Sequence, residues 1–147
     1  MEPVIVANAE ISVDVLLALP ERTVVVNPNP EAGRTGSLQC GLKQILGSKG
    51  GDRAFRLLVV PVDRPGFSNK TLGELMMKEI CACPAKDGRG GHPLPLMPED
   101  VARIHTADPD TPLRELCEPE RFEVEDLHLH LNLDTPSDIE VLRDLAI

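Results

Sequence analysis

Leu57-Leu58-Val59-Val60-Pro61-Val62-Asp63-Arg64-Pro65-Gly66 is the stretch on which the fold turns. Four apolar residues run together without alternation, the pattern of a strand buried on both faces inside a parallel sheet. The strand is expected over residues 55–62. Pro61 limits the ladder, and Arg64-Pro65-Gly66 breaks it. Asp63 then falls just past the carboxyl end of a central strand, the edge at which open α/β sheets bind ligands. A carboxylate there can hold a hard cation such as Mg²⁺ against a phosphate. The competing reading is a turn aspartate that only organises its loop.

Working outward toward the N-terminus, residues 3–7 read as a short buried strand. Ile11, Val15, Leu16 and Leu19 follow at helical spacing, and Pro20 closes that helix. Residues 22–26 form the next strand, and a right-handed crossover makes the two strands parallel. Glu31-Ala32-Gly33-Arg34-Thr35-Gly36 reads as a loop, with Ser37 capping a helix through about Leu46. Such a loop can seat an anion on a helix N-terminus, or it can simply turn. Residues 47–52 read as a surface loop.

Toward the C-terminus, Leu72, Leu75, Met76 and Ile80 mark a helix, with Met76 and Met77 read as core. Ile80-Cys81-Ala82-Cys83-Pro84 is a strand with both cysteines on one face, and residues 86–93 are a polar, glycine-rich loop. A strand over 94–97 precedes a helix opened by Pro98-Glu99-Asp100, with Val101 and Ile104 inward, and a short helix with Leu113 and Leu116. Residues 122–131 alternate as a strand, with His128 and His130 sharing one face. Residues 132–138 end it and cap a last helix, with Ile139, Leu142 and Leu145 inward. The succession indicates a layered α/β domain with a largely parallel sheet.

Composition narrows the function. The chain has 147 residues, enough for one domain with a real core, here taken as residues 1–147. With three Phe and neither Trp nor Tyr, the core is aliphatic and bases cannot be stacked on aromatic platforms. A net charge of −9 without a basic cluster argues against nucleic acid as a partner. No basic leader and no apolar run near the ~20 residues of a membrane span is present, so a cytoplasmic address is expected, with no membrane partner. Cys40, Cys81, Cys83 and Cys117 are then expected as reduced thiols. A minor reading gathers Cys81, Cys83, His128 and His130 around a metal, although their spacing matches no zinc pattern.

Four segments now fit one family in order and spacing. They are Asn27-Pro28 with Gly33, Gly36-Ser37-Leu38 and Gly41-Leu42; Val62-Asp63-Arg64-Pro65; Gly90-Gly91-His92-Pro93; and residues 131–138, Leu-Asn-Leu-Asp-Thr-Pro-Ser-Asp. Over nearly the whole chain this resembles the MobA-like nucleotidyltransferases, closest to the molybdopterin cytidylyl- and guanylyltransferase branch. The resemblance implies a three-layer, Rossmann-like fold of the nucleotide-diphospho-sugar-transferase type. It implies transfer of a nucleoside monophosphate from CTP or GTP to a phosphate of molybdopterin, with Mg²⁺ as cofactor. Asp63 and Asp134 would be the catalytic carboxylates, and Asp63, Asn132 and Asp134 the metal ligands. Gly36 and Ser37 would lie near base and ribose, Asn132 would also bind the nucleotide or acceptor, and Gly91 and His92 would face the acceptor.

One family element is missing from the sequence. The first strand and its loop, Leu-Ala-Gly-Gly-x-Ser-x-Arg-Met-Gly with a following lysine, have no counterpart, and Val4-Ile5-Val6-Ala7 matches the family's second strand. The expectation is an N-terminally truncated domain without the phosphate loop. Removing one charge-stabilising contact from such a site costs on the order of 10²–10³ in rate. Two readings therefore follow: a Mg²⁺-dependent nucleotidyltransferase, inactive as written if the loop is indispensable, or a non-catalytic nucleotide- or cofactor-binding accessory protein. An uncovered sheet edge further suggests a homodimer.

Overall fold

The computed structural model describes residues 2–49 and 54–145. The chain forms two compact units, Met1–Phe55 with Glu99–Cys117, and Arg56–Pro98 with Glu118–Ile147. The first is built on β1 (Val4–Asn8) and β2 (Thr23–Asn27), joined through helix α1 (Ser12–Ala18). Runs of β-branched residues favour extended backbone. The two strands pair in parallel, Val4 opposite Thr23 through Asn8 opposite Asn27, as the crossover rule requires. The helix forms as the spacing predicts, but its apolar residues are largely uncovered: Ile11, Leu16 and Leu19 are exposed and Leu17 is 74% exposed. Seven residues lying on two strands have little surface against which to bury a face.

A single 3-10 turn (Pro30–Ala32) leads to Gly33, whose φ of +114° is open to glycine and strained for other residues. Helix α2 (Arg34–Lys49) starts there, three residues earlier than expected, so Ser37 does not cap it. Thr35 Oγ1 donates to the Thr111 carbonyl at 2.6 Å and the Gly36 N–H to the Pro109 carbonyl at 3.1 Å, which hold the first turn helical. The loop expected over 47–52 is helical as far as Lys49; its remainder lies outside the described residues. Leu42 is fully buried, and Gly41 meets Val6 of β1. Gln39 Nε2 donates to the carbonyls of Ile104 and Ala107, at 2.8 and 2.7 Å. These lie at the end of α4 (Pro98–Thr106), which buries Val101 and Ile104 as the spacing predicted. Helix α5 (Leu113–Leu116) closes this unit.

In the second unit the decisive stretch yields β3 (Leu57–Val59), shorter than residues 55–62 and antiparallel to β6 (Leu94–Leu96). Pro61 cannot donate to a ladder and the chain turns at once, leaving Val62 92% exposed. Strand β4 (Ala82–Lys86) is buried from Ala82 to Ala85. It pairs antiparallel with β5 (Arg89–Gly90) and parallel with β7 (Glu120–Glu123). The polar loop is thus partly a hairpin. Asp87 and Gly88, both at positive φ (53° and 76°), form its two-residue turn, and Asp-Gly is the sequence signal for it.

Helix α3 (Asn69–Met76) is capped by Ser68, whose Oγ accepts from the Thr71 N–H at 3.1 Å. It buries Leu75, but Met76 and Met77 are exposed rather than core, because the helix ends there. The strand expected over 122–131 stops at Glu123, and residues 127–130 form a turn. Leu129 is buried, whereas Leu127 and His128 are exposed. Helix α6 (Pro136–Leu145) buries none of its residues, so the inward face expected from Ile139 and Leu145 is solvent-accessible. The class is α/β with mixed pairing: β1–β2 and β4–β7 are parallel, β3–β6 and β4–β5 antiparallel. Among the described residues no helix is long and apolar enough to cross a membrane.

Candidate active site

The turn after β3 is closed by the Arg64 N–H donating to the Pro61 carbonyl at 3.2 Å. Three contacts lay residues 63–66 alongside residues 128–133. The Leu133 N–H donates to the Asp63 carbonyl at 2.9 Å. Arg64 Nη1 donates to the His130 carbonyl at 3.4 Å. Gly66 sits so close to His128 that a Cβ would lie 1.7 Å from its carbonyl oxygen. Residues 63, 64 and 66 meet 133, 130 and 128, an antiparallel order that makes the two segments one framework.

This framework brings Asp63 beside Asn132 and Asp134, which are far apart in the chain. Asn132 Nδ2 donates to Asp134 Oδ2. Asn132 Oδ1 is buried and accepts no hydrogen bond, which normally costs about 1–3 kcal/mol. The Asp134 N–H donates to Asp138 Oδ2 at 3.0 Å. The same oxygen takes the Thr135 N–H at 2.7 Å and the Thr135 hydroxyl at 2.9 Å. Asp138 thus supplies one half of a capping box, its carboxylate reaching back to the Thr135 N–H, with proline in the first turn of α6. These bonds from Thr135 and Asp134 pull the Asp138 carboxyl below the usual range.

The Gly91 N–H donates to the Pro84 carbonyl at 2.7 Å. A Cβ on Gly91 would meet the buried Leu129 Cγ at 2.9 Å, so the Gly91-His92 segment packs on the same 127–130 turn. His92 is half-buried and precedes Pro93 through a cis peptide bond. Asp63, Asn132, Asp134, Gly91 and His92 therefore all belong to the second unit. Gly36 and Ser37 belong to the first, inside the first turns of α2. Ser37 Oγ accepts from the buried Asn27 Nδ2 at 2.9 Å, tying α2 to the end of β2.

The donors of Asp63, Asn132 and Asp134 are all oxygen, the chemistry of a Mg²⁺ site, and the orphaned Asn132 Oδ1 is an acceptor in want of a partner. Mg²⁺ is usually held by one or two carboxylates together with substrate phosphates, so these residues fit it. No group of three or more His, Cys, Asp or Glu suited to a metal occurs among the described residues. Cys81, Cys83, His128 and His130 accordingly do not form a centre. Cys83 is a buried thiol; burial pushes its pKa up against the opposing pull of Arg121 and a hydrogen bond from Gly91. Arg64, which in the sequence belongs both to the strand break and to the Val62-Asp63-Arg64-Pro65 segment, directly follows Asp63.

The family model for the MobA-like NTP transferase domain matches residues 1–126. None of the curated proteins matches the chain. Among solved structures, 4-diphosphocytidyl-2C-methyl-D-erythritol synthase superposes with a TM-score of 0.64 at 16% identity, covering 100% of this chain and 81% of that one. Molybdopterin-guanine dinucleotide biosynthesis protein A from Archaeoglobus fulgidus gives a TM-score of 0.61 at 15% identity, covering 97% of this chain and 77% of that one. At these identities the two likenesses establish the fold, that of the nucleotide-diphospho-sugar transferases.

Proposed function

Since the chain belongs to the MobA-like NTP transferase domain family, we propose that it transfers a nucleoside monophosphate from CTP or GTP to a phosphate of molybdopterin, releasing pyrophosphate. The observation that carries this reading is the framework joining residues 63–66 to 128–133. The Leu133 N–H bond to the Asp63 carbonyl sets the Asp63 turn beside Asn132 and Asp134.

The reaction requires the acceptor phosphate oxygen to attack the α-phosphorus in line with the departing pyrophosphate. Asp63, Asn132 and Asp134 would hold Mg²⁺, which when bound offsets the negative charge that develops on the phosphates. The chain's own contribution is to keep these oxygens in place before substrate arrives. Asp63 is anchored through its backbone to Leu133, and Asp134 through its N–H to the Asp138 carboxylate. Asn132 is oriented by the hydrogen bond its Nδ2 donates to Asp134, which leaves Oδ1 to accept from a ligand or bind the ion. The Gly91-His92 segment, packed on Leu129, supports the acceptor side.

The test is pyrophosphate release from CTP and from GTP in the presence of molybdopterin and Mg²⁺. Turnover with one of the two nucleotides is expected. Asp63→Ala and Asp134→Ala should each lower it by at least about 10²-fold. Nucleotide binding without turnover would instead assign the chain to the accessory, non-catalytic class. The same reading places the protein in the cytoplasm and includes a homodimer covering a sheet edge. Light scattering would then give twice the 16.0 kDa protomer mass.

A further inference from the structure

We infer that Arg64 binds the phosphates of the nucleotide in this site, an inference that rests on the nucleotidyltransferase reading above. Arg64 directly follows Asp63 and shares its anchorage, between the Asp63–Leu133 bond on one side and the Gly66–His128 contact on the other. The side chain is half-buried, and Nη1 is held by the His130 carbonyl at 3.4 Å, two residues before Asn132. Its guanidinium thus lies against the segment that carries the other site residues.

Among the described residues Arg64 pairs with no carboxylate, although Asp63 precedes it and the chain carries a net charge of −9. Elsewhere in the same unit Lys70 pairs with Glu125 and Arg143 with Glu140, whereas Arg56 and Arg121, like Arg64, donate to neutral carbonyls; of these three, Arg64 is the one next to Asp63. A guanidinium presents five N–H donors in a planar fork that matches a phosphate bidentately, and here a neutral carbonyl occupies part of it. A guanidinium held by a neutral carbonyl, on the segment that carries Asp63, suits a ligand that brings both negative charge and a metal ion. A nucleoside triphosphate is such a ligand.

The test uses the full chain with inorganic pyrophosphate and with Mn²⁺ alone as separate probes. Arg64→Gln should weaken pyrophosphate binding roughly ten- to hundredfold, the weight of a lost charge-assisted hydrogen bond. The same substitution should leave Mn²⁺ affinity equal or tighter, because a positive charge near the carboxylates is removed. Arg64→Lys should recover part of the pyrophosphate affinity and none of the bidentate geometry. Equal pyrophosphate binding by wild type and Arg64→Gln overturns the inference, as does a parallel loss of both probes, which would mean that Arg64 only braces the turn. If Asp63→Ala abolishes binding while Arg64→Gln does not, the inference falls and the nucleotidyltransferase reading stands. If the wild-type chain binds neither CTP, GTP nor pyrophosphate, both fall.

Discussion

At the scale of single residues, Gly66 carries the tightest demand on the chain. A methyl group there would meet the His128 carbonyl oxygen at 1.7 Å, and backbone cannot move aside as a side-chain tip can. Gly66→Ala should cost about 3 kcal/mol or more, at the upper end of overpacking, and denaturant unfolding would measure it. Because that contact holds the Asp63 turn in place, pyrophosphate release should fall with it. Gly73, with nothing near its Cβ position and an exposed place on α3, serves as a control. Gly73→Ala should raise stability by about 0.5–1 kcal/mol through helix propensity alone. The turn at Asp63 was legible because Pro61 and Arg64-Pro65-Gly66 break the strand. The demand on Gly66 was not legible: it comes from a chain segment some sixty residues away, and local sequence carries no trace of it.

At the scale of elements, the start of α3 shows how a distant carboxylate completes a local cap. Ser68 Oγ accepts from Thr71, and Asp126 Oδ2 accepts the Ser68 N–H at 2.8 Å. Burial pushes the Asp126 pKa up. The hydrogen bonds from Thr71 and Ser68, with the charge of Lys70, outweigh it and hold the group below its ordinary value. A carboxyl lowered on folding stabilises the native state above its unfolded pKa and loses that contribution as pH falls through the folded one. Asp126→Asn should therefore destabilise the protein at neutral pH, with the gap from wild type closing between about pH 5 and pH 2. Ser68→Ala should cost about 1 kcal/mol at neutral pH, by the same unfolding measurement. The periodicity of Val101 and Ile104 marked α4 correctly because that helix has one buried face. The same periodicity located α1 and α6, but the inward face expected of α6 is uncovered: spacing gives the face but not the surface that covers it.

At the scale of the whole molecule, the α/β class was legible, since apolar runs alternate with helical spacing along the chain. The strand pairings were less so. β3 has an antiparallel partner and ends after three residues, and the alternation over 122–131 runs into a turn at 127–130. An alternating pattern requires extended backbone only while a neighbouring strand offers hydrogen bonds, and β7 loses that at Glu123. The candidate site was present in the sequence as separate motifs, and the fold supplies what sequence could not, the pairing of residues 63–66 with 128–133. The central claim is that this paired framework is a metal-dependent nucleotide site. Calorimetric titration of CTP and GTP into the purified 147-residue chain, each with Mg²⁺, tests it most directly. The account predicts micromolar binding of one of them that disappears in Asp63→Ala and when Mg²⁺ is withheld. Failure of both nucleotides to bind at millimolar concentration, or binding that Asp63→Ala leaves intact, would contradict it.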